Sequence, residues 1–439
     1  MQEHGQAAIP QRVAPFWSER YPHLGKGPIS LDQYVSPEHF ELEKKYLFGR
    51  AWLHVGRVEE IPSSGDFFTK DLDAPNVMLI VARGRDGKIR AFHNVCAHRC
   101  NRVVHEASGC ATRFSCKFHG WTFGLDGKLT GMPDRARFHQ IKDEHYGLTP
   151  VHCETWQGFI FVNLDPEPAE SLEQFLGEHF RKLEGYPFEH LTSVFCYDLE
   201  VNCNWKVALD AFQEGYHVPF VHSKSLGNKL TSPDNRMNQP LDVVLTGYHG
   251  KLSLQGNMVS VYGNPAAVAD QAKASIIKPT KPIEEAAFRF GIPGMKKALE
   301  KLAAKPLPEG MNPSRASNWA FDINVLFPDF YLSMRPTYYM AYNFRPVAVD
   351  RTRFEARVYY PRADTPSGRF YQEYMKVVLR DVASEDFATT EHVQKGMASG
   401  ARPHIVLQEN ELLCRHHHEV CTAYIATQRD RDAKRRRVA

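Results

Sequence analysis

Two short cysteine–histidine pairs are the residues of this chain best suited to bind metal. They are Cys96-Ala97-His98 and Cys116-Lys117-Phe118-His119, separated by residues 99–115. A [2Fe–2S] cluster with two thiolates on one iron and two imidazoles on the other takes one ligand of each kind from each loop. A structural zinc site, the alternative, more often shows Cys-x2-Cys or His-x3-His spacing. The spacing therefore predicts Cys96, His98, Cys116 and His119 as cluster ligands.

Strand-like segments flank both loops. Residues 89–95 lead into the first loop, and Gly120-Trp121-Thr122-Phe123 leaves the second towards a turn at Asp126-Gly127. The motifs Cys-x-His-Arg and Cys-x-x-His-Gly-Trp resemble those of the α subunit of Rieske non-haem iron oxygenases. Cys100 departs from that pattern, because the family often has glycine after His-Arg. We expect Cys100 to be a buried or half-buried free thiol rather than a fifth ligand.

A second metal site is predicted around His217 and His222, which lie five residues apart with Pro219 between them. Because a regular helix brings positions i and i+4 onto one face, this spacing and the proline predict a helix that is broken between the histidines. Two histidines and one carboxylate can bind Fe(II) and leave positions open for O2 and substrate. The pair follows Asn204-Trp205-Lys206, as in the Rieske oxygenases. The resemblance therefore favours iron ligands over ordinary histidines at a helix end.

The third iron ligand must be a carboxylate that is distant in sequence. The segment from Asp381 to Gly396 is similar to the Glu-Asp helix of the family, with a glutamine eight residues later. We choose Asp386 as the ligand. Glu385 and Asp381 remain alternatives, because a pair of charged residues on a helix is usually a solvated face.

Glu214 stands three residues before His217, where ring-hydroxylating members of the family typically carry aspartate. The resemblance implies that this carboxylate bridges a cluster histidine of one subunit to an iron-bound histidine of the next. Glutamate keeps the hydrogen-bonding chemistry with a longer reach, and it occurs in members that oxidise C–H bonds or remove N-methyl groups. A salt-bridged helix residue is the alternative reading of Glu214. Asp210, one turn earlier, is the rival for the bridge.

The composition indicates a soluble enzyme with two domains. The chain has 439 residues, 43% hydrophobic and 24% charged, and its formal net charge of +3 is too small to indicate nucleic-acid binding. Nine cysteines and the lack of an apolar N-terminal stretch predict a cytoplasmic protein. No apolar run approaches the roughly 18 residues that a membrane span requires.

Four segments are predicted along the chain. Residues 1–39 are an N-terminal segment packed on the catalytic domain, 40–165 the Rieske [2Fe–2S] domain, 166–425 the mononuclear iron domain and 426–439 a basic, disordered tail. Strands with segregated helices indicate an α+β fold, in which the small all-β domain is inserted into the larger one. The resemblance implies a helix-grip catalytic domain, with an antiparallel sheet and helices around the iron.

The predicted elements place the candidate pocket. A long helix should run from Pro366 to Gly396, and residues 223–320 should form loops that roof the pocket. Strands are predicted at 52–58, 67–71, 77–82, 156–164, 195–201, 324–332, 338–347 and 352–360. The apolar residues expected to line the pocket are Leu209, Phe212, Phe327, Tyr331, Tyr339 and Tyr342.

Partners follow from absent motifs and from the resemblance. The sequence contains no Gly-x-Gly-x-x-Gly and no Cys-x4-Cys-x2-Cys run, so electrons must come from another protein. The resemblance implies a flavin-dependent reductase using NAD(P)H, with or without a ferredoxin, and a homotrimer, with or without a β subunit.

The sequence thus predicts a terminal oxygenase that uses O2 to hydroxylate or dihydroxylate an organic, aromatic or polycyclic substrate. Glu214 favours the alternative of a monooxygenase or demethylase acting on a C–H, N-methyl or O-methyl group. An electron-transfer Rieske protein without oxygenase activity is the alternative from another class. The second histidine pair argues against a carrier, which has no use for an open iron site.

Overall fold

The computed structural model describes residues 16–139, 141–226, 230–232, 235–256, 282–303 and 305–438. Of the predicted roof between 223 and 320, residues 227–229, 233–234, 257–281 and 304 lie outside these residues. The expectation that this segment forms loops is wrong over much of the described remainder, which contains the strands Asp242–Thr246 and His249–Gln255 and short helices between 282 and 303. Within the described part, the strands form two antiparallel sheets of seven strands and two smaller sheets. None of the described helices is both long and apolar enough to cross a bilayer.

The strands are short in the first half of the chain and longer in the second. In order they are β1 (Ile29–Ser30), β2 (Trp52–Arg57), β3 (Asp66–Leu72), β4 (Val77–Arg83), β5 (Ile89–His93), β6 (Ser108–Cys110), β7 (Phe114–Ser115), β8 (Thr122–Phe123), β9 (Leu129–Gly131), β10 (Pro150–Trp156), β11 (Phe159–Asn163), β12 (Ser193–Val201), β13 (Asp242–Thr246), β14 (His249–Gln255), β15 (Trp319–Leu326), β16 (Phe330–Met334), β17 (Tyr339–Ala348), β18 (Arg351–Tyr360) and β19 (His404–Ile405).

The helices lie mainly outside the first domain. They are α1 (Trp17–Arg20), α2 (Asp32–Val35), α3 (Pro37–Leu42), α4 (Leu172–Arg181), α5 (Trp205–Asp210), α6 (Val218–Val221), α7 (Pro282–Ala286), α8 (Ile292–Gly294), α9 (Lys296–Ala303), α10 (Pro366–Ala398) and α11 (Leu412–Val438). Two π-helical turns, Glu43–Phe48 and Ala287–Gly291, continue α3 and α7. Single 3-10 turns occur at Pro22–Leu24, Val58–Glu60, Arg135–Arg137, Asp143–His145, Phe188–His190 and Glu409–Glu411.

The first sheet and the sheet β7-β8-β9 build the small all-β domain. The first sheet has the order β2-β11-β10-β5-β4-β3-β6. The candidate cluster loops are the connections β5–β6 and β7–β8. Both loops rest on a separate apolar core that contains Phe67, Phe92, Phe114, Trp121 and Phe123.

The second sheet, β12-β18-β17-β16-β15-β14-β13, divides two environments. Because successive side chains of a strand point to opposite faces, the two sides of β17 contact different parts of the protein. Tyr342 and Phe344 contact Phe212, just after α5, whereas Tyr339 contacts Phe159 of the small domain. The helices α5 and α10 therefore lie on the face of the sheet opposite the small domain. This is the α+β arrangement that the sequence predicts.

An ion pair and a hydrogen bond to a backbone carbonyl join the two domains. Lys70 on β3 contacts Glu355 on β18, and the Arg345 guanidinium bonds to Asp329 at 2.7 Å and to the carbonyl oxygen of His54. Burial raises the pKa of Glu355, but the positive charges of Lys70 and Arg345 lower it by more. The net pKa is about 2, below the usual value for a glutamate. The contact between the domains thus depends on an ionised carboxylate.

The N-terminal segment packs on the catalytic domain over its described residues. Strand β1 pairs with β19 at Ile29 and Ile405, and the Tyr21 hydroxyl donates to the carbonyl of Val243 at 3.2 Å. Ser36 caps α3 by accepting from the amide of His39, and Gly49 ends the π-helical turn that follows.

Two of the predicted strands are interrupted by a turn. Residues 324–332 span a turn at 327–329 that contains Pro328, which has no amide hydrogen for a sheet bond. Residues 156–164 begin with a turn at Gln157-Gly158, where both residues have positive φ, and only 159–163 form β11.

The predicted disordered tail is wrong over residues 426–438. Helix α11 continues without a break to Val438. Two of its arginines pair with the segment that links the domains: Arg431 bonds to Asp165 at 2.8 Å, and Arg435 to Glu167 at 2.7 Å. The basic residues therefore have local acidic partners that fix the end of the helix.

Candidate metal centres

The two cysteine–histidine loops bring their ligands together in like pairs. Cys96 and Cys116 are both buried, with 2% exposure each, and the two thiols share a hydrogen bond. The rings of His98 and His119 have centroids 4.6 Å apart. Each loop thus supplies one sulfur and one imidazole, as a cluster with two sulfur and two nitrogen ligands requires.

The two loops share one backbone design. In the first, the amide of Cys96 bonds to the carbonyl of Asn101 and the amide of Cys100 to the carbonyl of Cys96. In the second, the same pair of bonds joins Cys116 to Trp121 and Gly120 to Cys116. Cys100 and Gly120 are therefore equivalent, and their φ angles are 56° and 72°.

Cys100 is exposed, so the expectation that its thiol is buried or half-buried is wrong. The loop lies at the surface of the small domain, and the left-handed conformation of Cys100 is one that glycine adopts without strain. Glycine after His-Arg, as in the family, fits this backbone. Cysteine at this position is strained, because a residue with a side chain rarely adopts the left-handed backbone conformation.

The donor atoms fit an iron–sulfur cluster. Burial raises the pKa of the Cys96 thiol. Burial also raises the pKa of the Cys116 thiol, but hydrogen bonds from Asn101 and from loop amides lower it by more. The net pKa is below the usual value, which favours a thiolate. His98 Nδ1 is buried without a hydrogen-bond partner in the described structure, and His98 stacks on Trp121 at 5.0 Å. A buried nitrogen without a partner suits a metal ligand.

The second centre depends on a broken helix. Helix α5 ends at Asp210, and α6 is four residues long, with His217 as its N-cap and His222 as its C-cap. Pro219 stands in the first turn of α6, where its missing amide hydrogen costs nothing. The break predicted from the spacing turns both imidazoles towards α10.

Three side-chain atoms converge at this centre. His217 Nε2 and His222 Nε2 are 3.2 Å apart, and Asp386 Oδ1 lies 3.4 Å from the first and 2.9 Å from the second. Asp386 is 4% exposed, and its Oδ1 makes no well-oriented hydrogen bond within the described structure. The three donor atoms all lie within 4.8 Å of one another. This donor set fits an iron ion with two histidine ligands and one carboxylate.

The other candidate carboxylates have different partners. Asp381 is exposed and paired with Arg380. Glu385 accepts from His222 Nδ1 at 2.8 Å, on the side of the ring away from Asp386. Asp210 accepts from Tyr34 at 2.7 Å and lies 3.2 Å from His418 Nε2. Of these three carboxylates, Glu385 alone contacts a candidate ligand, and it does so at Nδ1 of His222, the ring nitrogen that does not face Asp386.

Glu214 contacts His217 within its own chain. One carboxylate oxygen is hydrogen-bonded to His217 Nδ1, and the other accepts from the backbone amides of Tyr216 and of His217, the latter at 3.2 Å. Burial lowers the pKa of His217, but the negative charges of Glu214 and Asp386 raise it by more, so the net pKa is above the usual value. The pKa of His222 is also raised overall, because the effect of Asp386 and Glu385 outweighs that of burial. Each imidazole therefore lies between two carboxylates.

A cavity of about 150 Å³ opens beside these residues. Of the wall residues expected from the sequence, Phe212, Tyr331 and Tyr342 line it. Leu209, Phe327 and Tyr339 do not: Tyr339 faces the small domain, and Phe327 packs against Tyr424 of α11.

Two groups of residues that line the cavity were not predicted from the sequence. Arg335 follows β16, with its guanidinium 4.0 Å from the Phe321 ring and hydrogen-bonded to Ser333 at 2.7 Å. The second group is one apolar stripe of α10 that ends at Asp386 and repeats every three or four residues, which is a readable helical signal. It consists of Met375, Val378, Leu379, Val382 and Ala383.

Comparison with known proteins agrees with both centres. The sequence model of the ring-hydroxylating α subunit (catalytic domain) matches residues 188–427, and that of the Rieske [2Fe–2S] domain matches residues 51–146. The chain belongs to the ring-hydroxylating α-subunit family. This confirms the predicted family and fold, and it implies a Rieske cluster together with a mononuclear iron that uses O2.

Relatives fall into two substrate groups. The oxygenase subunit of glycine betaine monooxygenase from Pseudomonas aeruginosa is 32% identical over 210 residues, 47% of this chain and 48% of that one. The large oxygenase component of naphthalene 1,2-dioxygenase from Ralstonia sp. is 35% identical over 206 residues, 45% of each chain. The chain thus spans about half the length of the curated relatives it matches.

A solved structure extends the likeness to the whole fold. The quaternary ammonium Rieske monooxygenase CntA superimposes with a TM-score of 0.69 and 19% identity, over 92% of this chain and 97% of that chain. At this identity the likeness establishes the fold alone.

Proposed function

We propose that this family member is the oxygenase component of a multicomponent system that inserts one oxygen atom of O2 into a C–H bond, with an N-methyl group as the target. The observation that carries the proposal is the convergence of His217, His222 and Asp386 beside a largely apolar cavity. A pure electron carrier has no need of this arrangement. The overall change consumes O2, two electrons and two protons, and it yields the hydroxylated substrate and water.

The residues have separable tasks. When bound, the cluster relays single electrons and the mononuclear iron activates O2. His217, His222 and Asp386 would hold the iron at one end of the cavity. Glu214 orients His217 through its Nδ1. The apolar wall excludes water from the site and holds the substrate against the iron.

Aromatic residues around the cavity favour a methylated ammonium group. The rings of Phe212, Phe321, Tyr331, Tyr338 and Tyr342 line the described wall. The faces of such rings attract a quaternary ammonium by cation–π interaction. Glu214, the residue type that the sequence analysis associates with N-methyl oxidation, and the glycine betaine relative support the same target.

Oxidation of an aromatic ring is the second candidate. The same apolar and aromatic wall can hold a polycyclic hydrocarbon, and the naphthalene dioxygenase component is among the relatives. This was the primary expectation from the sequence, whereas the betaine relative supports the N-methyl target.

Product analysis separates the two candidates. Purified protein, a surrogate flavin reductase and NADH would be incubated with a trimethylammonium acid, a trimethylammonium alcohol and naphthalene in parallel. N-methyl hydroxylation releases formaldehyde and the demethylated amine. A dihydrodiol from naphthalene without formaldehyde from either amine would replace the first candidate by the second.

We also propose that the chain works as a homotrimer in which each cluster faces the iron site of the next subunit. Apolar side chains are exposed at both centres: Phe118, beside His119, is 53% exposed, and Phe220, between the two iron-site histidines, is 65% exposed. A second copy would cover both. Light scattering should give three times the chain mass, and Phe220→Ser should lower it. A monomer that turns over would contradict the assembly.

A further inference from the structure

We infer that Glu385, held by Ser225, is a positioning residue that locks His222 in the orientation needed to bind the mononuclear iron. The inference concerns the far side of the His222 ring from the metal. It rests on the proposed ligand set, because it takes His222 Nε2 as the iron-binding atom.

The contacts form a short chain. Glu385 Oε2 accepts from His222 Nδ1 at 2.8 Å, and the same oxygen accepts from the Ser225 hydroxyl at 2.5 Å. His222 and Ser225 stand on either side of the turn that ends α6, and Glu385 comes from α10. The chain therefore ties the loop after α6 to the helix that carries Asp386.

The geometry divides the two nitrogens of His222 between two carboxylates. Asp386 Oδ1 lies 2.9 Å from Nε2, and Glu385 bonds to Nδ1. Because Nδ1 donates its hydrogen to Glu385, Nε2 carries the lone pair that a metal requires. The hydrogen bond also prevents rotation of the ring away from the iron and raises its basicity as a ligand.

Adjacent positions on one helix produce this division. Glu385 and Asp386 are consecutive residues of α10, and their side chains project about 100° apart around the helix axis. Asp386 is buried at the metal centre, whereas Glu385 is partly exposed at the edge of the turn containing Ser225. The helix thus presents a ligand and the support of a second ligand side by side.

Four variants separate the parts of this support. Glu385→Ala removes the hydrogen bond, and Glu385→Gln keeps an acceptor oxygen but removes the negative charge. Ser225→Ala frees one side of the carboxylate. The control is Asp381→Asn, one turn earlier on α10, where the exposed carboxylate pairs only with Arg380 among its described contacts.

The measured quantity is the rate at which mononuclear Fe(II) leaves the anaerobic, reduced protein for an excess of chelator. The supporting partners of metal-bound histidines typically contribute about 10–100-fold in metal affinity. We expect Glu385→Ala to accelerate release in that range, Glu385→Gln and Ser225→Ala to act less, and Asp381→Asn to match the parent. Cluster absorbance should be unchanged in all four.

A second readout reports geometry independently of activity. With Co(II) in the mononuclear site, the visible d–d bands should change in Glu385→Ala and stay unchanged in Asp381→Asn. A merely structural role would leave those bands and the release rate unmoved. Release at the parental rate in both Glu385 variants would overturn the inference. Retention of the iron by Asp386→Ala would instead contradict the ligand set itself.

Discussion

Replacement of Glu214 by glutamine should uncouple the two metal centres without dismantling either. The carboxylate of Glu214 has about four acceptor positions, and the described donors use three: His217 Nδ1 and the amides of Tyr216 and His217. One position remains for a cluster histidine of a neighbouring subunit. The proposed bridge therefore needs no rearrangement of the contacts within the chain.

The magnitude follows from the same contacts. An amide has one oxygen and one NH2 group, so in Glu214→Gln an NH2 must face either His217 Nδ1 or the two backbone amides. Loss of a charged hydrogen bond costs about 1.5–3 kcal/mol. At 1.36 kcal/mol per tenfold in rate, this corresponds to about 10–100-fold slower electron delivery. Glu214→Asp keeps the charge and can still cap the two amides, so it should recover part of the rate.

The assay is a single turnover. Protein with a reduced cluster and bound substrate would be mixed with O2, and oxidation of the cluster would be followed by visible absorbance. Glu419→Gln, an exposed change of the same kind on α11, serves as the control. Iron content and trimer mass must equal those of the parent. A parental rate of cluster oxidation in Glu214→Gln would refute the bridging role.

Four further outcomes are expected. The purified protein should be red-brown with about three irons per chain; His98→Ala or Cys116→Ala should remove the colour, and stoichiometric zinc in colourless protein would contradict the cluster. Asp386→Ala should lower the iron content to about two per chain and abolish turnover with an intact cluster spectrum, whereas the same loss in Glu385→Ala alone would exchange the two assignments. Cys100→Gly should stabilise the protein by ~0.5–1 kcal/mol in denaturant unfolding, because the relieved left-handed strain exceeds the added chain entropy; destabilisation would count against that strain. Because the pKa of Glu355 is about 2 in the fold and about 4.5 ordinarily, its contribution to stability is complete above pH ~4.5 and is lost as the pH falls towards 2; Lys70→Gln should flatten the acid side of the stability profile.

The cluster site was predictable because its ligands are local. Each loop contains one cysteine and one histidine within four residues, and a strand flanks each loop at both ends. Only the second loop joins two strands that pair with each other, β7 and β8. What the sequence did not indicate was the exposure of Cys100, which depends on how the loop sits on the small domain. Two strand predictions were wrong in their bounds for a related reason. Short turns such as Gln157-Gly158 interrupt runs of apolar residues that are continuous in sequence.

The cavity was less predictable because alternation along a strand does not say which face meets which domain. Tyr339 and Tyr342 are both buried aromatic residues of β17, yet only Tyr342 lines the cavity. The sheet is buried on both faces, so burial leaves no polar side to mark the direction. Arg335 could not be placed either, because it follows the end of β16 and its position depends on the turn to Tyr338.

The third ligand shows how a real chemical relation can look like ambiguity in a sequence. Glu385 and Asp386 were both candidates, since spacing alone cannot distinguish neighbours on a helix. In the structure both carboxylates act on His222, Asp386 near Nε2 and Glu385 at Nδ1. Because an imidazole ligand needs a metal on one nitrogen and a hydrogen-bond acceptor on the other, two adjacent acids on one helix can meet both needs. His217 has the same arrangement, but its acceptor is Glu214 from its own turn. The acceptor supplied by α10 has Ser225 as its second partner, whereas the acceptor supplied by the short turn before α6 retains a position that the proposed bridge would use. The two carboxylates should therefore differ in function: loss of Glu385 should weaken iron retention, and loss of Glu214 should slow electron transfer.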